Sequence, residues 1–154
     1  MSTVQASTHA ALRAWAKGIY PLEAGVELLI RTSSGRFAAD SQPWIRPGAD
    51  PDRWWVDVDQ LIEDNFAAVS GGEARMLRLA ASLLAGGPVS LYEAVPGLDR
   101  DHIPLVLAAI AHASGSHEHT GAPVADPEGR YRTSGGTRMS FPRLGSLYPW
   151  PNQV

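Results

Sequence analysis

Ser70-Gly71-Gly72-Glu73 and Ser90-Leu91-Tyr92-Glu93 repeat one pattern, a serine followed three positions later by a glutamate, and each opens a run of good helix formers. At that spacing the serine oxygen accepts from the amide three residues on, while the glutamate reaches back to the serine amide. Two donors that every helix start leaves open are thereby satisfied together. After the first box, Met76, Leu77, Ala80, Leu83 and Leu84 recur at helical spacing until Gly86-Gly87 ends the run. The second box leads into a short helix cut near Pro96-Gly97. A further helix is expected to start at Asp99 or Asp101, to tolerate Pro104 in its first turn and to run through Leu105 to His112 before Gly115. Being apolar on every side, it is read as the buried central helix. These signals commit the chain to a helical centre.

Two more helices precede it. With Ser7 or Thr8 as N-cap, His9 to Ala16 places Ala11, Leu12 and Trp15 on one face and stops at Gly18. Pro21 then suits a first turn, Glu23 faces the positive helix end, and Leu22, Val26, Leu29 and Ile30 form a stripe. Between Ser33 and Asp52 the pattern dissolves into Ser, Gly, Pro and Asp around Phe37, Trp44 and Ile45, which reads as a long loop pinned by aromatics. Trp54-Trp55-Val56 has strand composition, and Asp57 or Asp59 can cap a short helix through Leu61, Ile62 and Phe66.

Beyond His119 the chain turns to Gly, Pro, Ser and Thr, with Arg130, Arg132, Arg138 and Arg143 interleaved with Tyr131, Phe141, Tyr148 and Trp150. Val124 to Thr133 is expected to form a hairpin around Asp126-Pro127-Glu128-Gly129. Four arginines against Asp126 and Glu128 make this arm net positive, and the rest of the chain carries the negative excess. The expected fold is therefore mainly α, with α+β as the variant: one small helix-rich domain over 1–119, carrying a long aromatic loop, and an irregular arm over 120–154 packed on it.

Composition narrows the chemistry. A chain of 154 residues at 44% hydrophobic content supports one core. A net charge of -3 with 19% charged residues creates no global field toward nucleic acid or anionic lipid. The absence of cysteine excludes disulfides, thiolate nucleophiles and cysteine-ligated metal clusters. No basic and apolar leader and no membrane-length apolar run is visible, so the chain reads as soluble, cytoplasmic and without a membrane partner. Lys17 is the sole lysine among the cations; that bias, with abundant Ala and Gly, points to a GC-rich bacterial genome.

The first serine box, with Arg75, Leu79 and Ala80 and then Leu98-Asp99-Arg100, resembles the signature stretch of ABC-type ATPases. That resemblance implies a helix N-terminus that meets a nucleotide phosphate. It covers about a fifth of the chain, which has no Gly-x-x-x-x-Gly-Lys-Ser/Thr loop and no apolar strand ending in Asp-Glu. Without a phosphate cradle the box reduces to a helix cap. A helix-turn-helix pairing of Leu91–Val95 with Asp101–Ala113 offers only Arg100 and His102 to a DNA groove. No Gly-x-Ser-x-Gly elbow is present.

His112, His117 and His119, with Glu118 and Asp126 nearby, are the candidate metal ligands, set against a reading as solvated residues favoured by a helix C-terminus. No cofactor is assigned. The expected function is a non-enzymatic bacterial interaction or regulatory protein, binding a protein partner through Trp44, Trp54, Trp55, Arg130, Arg132, Arg138, Tyr148 and Trp150, with self-association compatible. Leu147-Tyr148-Pro149-Trp150-Pro151 suits an anchor peptide, since proline limits the entropy lost on docking. Nucleic-acid binding through the arm is the alternative, and a small histidine-ligated metal-dependent hydrolase is the second alternative.

Overall fold

Pro21 stands in the first turn of the helix around which the other helices are arranged. The computed structural model describes residues 3–65 and 71–152, so the expected Ser70 cap and Phe66 lie outside the described residues. Helix α1 (Thr3–Ala16) and helix α2 (Tyr20–Arg31) meet at Gly18, whose positive φ of 94° ends α1. The start of α1 is earlier than Ser7 or Thr8. Thr8 is buried and its Oγ1 donates to the Val4 carbonyl at 3.2 Å, so it serves the helix interior and not its cap.

α2 packs against α1, α4 (Gly71–Ala85) and α6 (His102–Ala113), burying Ala24, Val26, Leu28, Leu29 and Ile30. Gly25 permits the close α2–α4 crossing, since a Cβ there would meet Leu84 and lie 3.2 Å from the Ala80 carbonyl. The centre is thus α2, and the expectation for 102–113 is corrected. α6 buries Val106, Ala108, Ala109 and Ala111, yet leaves Ile103, Leu107 and Ile110 exposed at 42%, 40% and 54%. Its small alanine face fits against the bundle, so the bulkier side chains point outward. Uniform hydrophobicity carries no information about which face does this.

The 33–52 segment is ordered. A 3₁₀ turn over Thr32–Ala38 holds Ser33, Ser34 and Gly35 at positive φ and buries Phe37 and Ala38. Strands β1 (Ile45–Pro47) and β2 (Trp54–Val56) then pair antiparallel, with Ile45 opposite Val56. Asp57 Oδ1 accepts from the Gln60 amide at the start of α3 (Val58–Asn65). Ser90 Oγ accepts from the Glu93 amide at α5 (Leu91–Ala94), and Asp99 Oδ1 takes the amides of Asp101 and His102 ahead of α6. Glu73 accepts from Ser33 Oγ at 2.6 Å and pairs with Arg36, which ties the strained turn to α4.

The arm contains β3 (Val124–Ala125), β4 (Tyr131–Arg132) and β5 (Arg138–Ser140), antiparallel in the order β3-β5-β4. The expected turn forms, with the Gly129 amide donating to the Asp126 carbonyl at 2.9 Å, but the expected hairpin does not. Residues 126–130 hold β3 and β4 about two strand spacings apart, roughly 9–10 Å, and β5 fills the gap. A Cβ on Gly129 would collide with the Met139 backbone, so only glycine admits the inserted strand. Among the described residues no helix is long and apolar enough to cross a membrane. The fold is mainly helical, with two small antiparallel sheets.

Candidate functional site

The anticipated partner-binding residues fall into four environments. Trp44 is core: it is 3% exposed, and its Nε1 donates to the Phe37 carbonyl at 2.9 Å. Its assignment to a binding surface is corrected, because the β1–β2 ribbon folds its ring inward against the bundle. Trp54 packs on the core, while Trp55 is 39% exposed. With Trp15 they wall a recess of about 620 Å³ that also carries Asp50, Asp52 and Arg53. Arg46 and Arg53 pair with Asp57 and Asp50 inside this ribbon, so these carboxylates find partners locally instead of in the arm.

Trp150 is half-buried. It tilts against His112 with ring centroids 6.1 Å apart and lies under the Arg31 guanidinium at 5.0 Å, and Arg31 Nη1 donates to the Pro151 carbonyl at 2.8 Å. It anchors the arm to its own chain, which corrects its expected display to a partner. Leu147 donates its amide to Ser116 Oγ, also holding this end, while Tyr148 stays 54% exposed. Arg31 is in turn fixed by Glu27, which accepts from Arg13 as well. Burial would raise the Glu27 carboxyl, but the hydrogen bonds and charges of Arg13 and Arg31 outweigh it and hold the group below its ordinary 4.5.

The sheet between these anchors is open. Tyr131 and Phe141 form an edge-to-face pair with centroids 5.1 Å apart, exposed at 60% and 43%. No apolar side chain from Val124 to Leu144 enters the core or packs against it. Arg138 bonds the Gly129 carbonyl and Arg143 pairs with Glu118, whereas among the described residues Arg130 and Arg132 meet no carboxylate. Arg132 follows Tyr131 in the edge strand β4 and stands opposite Arg138 on the other face of the sheet, while Arg130 precedes the strand.

The imidazole cluster forms with a different third member. His112 and His117 stack at 4.1 Å with their planes 9° apart, and His112 Nε2 lies 2.9 Å from Glu23 Oε2. Tyr20 sets its ring edge-on to both. His119 is exposed and outside the group. Its carbonyl accepts from the Leu144 amide, which orients that segment toward the arm. Glu118 is engaged by Arg143, and Asp126 serves its own turn. Burial opposes ionisation of Glu23, yet the His112 bond, the Gly18 amide and both imidazoles bring its carboxyl below the ordinary value. Glu23 and His112 are 89 residues apart, so only tertiary packing unites them. A cleft of about 360 Å³ opens beside them, lined by Arg13, Lys17, Glu23, Arg31, His112 and Trp150.

Comparison with protein-family models, with curated proteins and with solved structures finds no match.

Proposed function

We propose that this chain is a non-enzymatic binding protein that docks a protein partner through the β3-β5-β4 sheet of its arm. The observation that carries the reading is the exposed Tyr131–Phe141 pair on a sheet that no described core residue covers. A three-stranded sheet gains independent stability from an apolar face buried against something. Among the described residues that face has no cover, and an exposed aromatic patch has the composition of an interface centre. The outer edge of β4 also leaves backbone groups open to an incoming strand.

Arg130 and Arg132, which meet no carboxylate among the described residues, favour a second reading in which bases stack on the aromatics and the phosphates reach the arginines around the edge of β4. Complexes purified gently from the host, with the native chain and with a Tyr131→Ala/Phe141→Ala variant, separate the two. We expect a protein chain that co-purifies with the native protein and falls at least about tenfold with the variant, while the variant keeps its melting temperature. Loss of bound nucleic acid instead, with a steep salt dependence, would select the second reading. Undiminished co-purification would sink both.

A further inference from the structure

Glu23, His112 and His117 each offer a ligand atom, all within 4.8 Å of one another, and we propose that they bind a divalent transition-metal ion of the zinc class. This site is separate from the arm surface and stands whether or not that surface docks a partner. Two imidazoles and one carboxylate form a donor set suited to Zn²⁺, Co²⁺ or Ni²⁺, whereas Mg²⁺ and Ca²⁺ favour oxygen ligands throughout.

Three further observations point to a ligand here. Among the described residues His117 Nδ1 is buried with no hydrogen-bond partner, a polar atom whose desolvation is left without compensation there. The Glu23 carboxylate is already oriented, since Oε1 accepts from the Gly18 amide at 3.2 Å and Oε2 is left facing His112; such outer hydrogen bonds fix ligand geometry in metal sites. The cluster also opens onto the cleft containing Lys17, Arg31 and Trp150, so a fourth position is accessible to water or a small anion, as in open zinc sites.

Binding requires one local rearrangement. The imidazoles are stacked, and their in-plane lone pairs converge on a shared ion only if a ring turns. His117 lies in the short 3₁₀ segment Ser116–Glu118, after Gly115 at φ 76°, and is the ring able to swing. The Tyr20 ring, its centroid 4.8 Å from that of His117, limits that motion on one side. The ion replaces the hydrogen now lying between His112 and Glu23.

Calorimetric titration of the metal-free chain with zinc chloride tests the site, with cobalt(II) absorption as a second readout of low coordination number. One ion per chain is expected. His117→Ala and Glu23→Gln should each weaken binding by about tenfold or more, while His119→Ala leaves it unchanged. Thermal unfolding of each variant establishes that it is folded when titrated. No saturable binding, or equal loss on His119→Ala and His117→Ala, would overturn the assignment.

Discussion

Trp44→Ala is expected to cost about 3–5 kcal/mol of folding stability, the range for emptying a buried aromatic site. The indole is part of the same cluster as Phe37, Ile45, Val56 and Leu61, each 3% exposed or less. Its removal leaves a cavity and takes a hydrogen bond from the Phe37 carbonyl. Domains of this size hold about 5–15 kcal/mol in all, so the loss is a large share and lowers the melting temperature by about 10 °C. Urea unfolding measures it directly. Trp55→Ala, at a half-open position on the neighbouring strand, should cost less than about 1 kcal/mol. Similar small effects at both positions would contradict the placement of Trp44 in the core.

Glu27→Gln is expected to cost about 2 kcal/mol at neutral pH. Its carboxylate is 13% exposed and is the shared acceptor for Arg13 and Arg31. Removing one partner of a buried ion pair typically costs about 3–5 kcal/mol, but Arg13 is 46% exposed and can relax into water, which reduces the figure. The effect should also loosen the arm, because Arg31 holds Pro151 and covers Trp150. Acid reveals the charge. The folded carboxyl titrates below its ordinary 4.5, so its contribution is fully present above that value and is lost as pH falls through the folded value. The native protein and the variant should therefore differ most in urea unfolding at neutral pH and converge in acid. A difference independent of pH would show that packing and not charge makes the contribution.

Local chemistry carried much of the fold into view. Pro21, Ser90 and the apolar spacing from Met76 to Leu84 each bind their own few residues, and Trp54-Trp55-Val56 forms the expected strand. What escaped was relational. Uniform hydrophobicity over 102–113 conceals that the alanines face inward, and nothing local distinguishes Trp44, turned into the core, from Trp55, turned outward. The Asp126–Gly129 turn is legible, but the insertion of β5 depends on a strand that follows it. His112 and His117 lie close in the chain, and their partner Glu23 comes from another helix. Sites assembled across such separations leave no spacing to read.

Whether the arm's sheet docks a partner is read out by hydrogen–deuterium exchange on the complex isolated from the host. Compared with the free chain, residues 124–144 should gain protection, most strongly around Tyr131 and Arg138–Ser140, while amides of α2 and α4 remain unchanged. Protection confined to the Trp15–Trp54–Trp55 recess or the exposed face of α6, with the arm exchanging as it does alone, would contradict it.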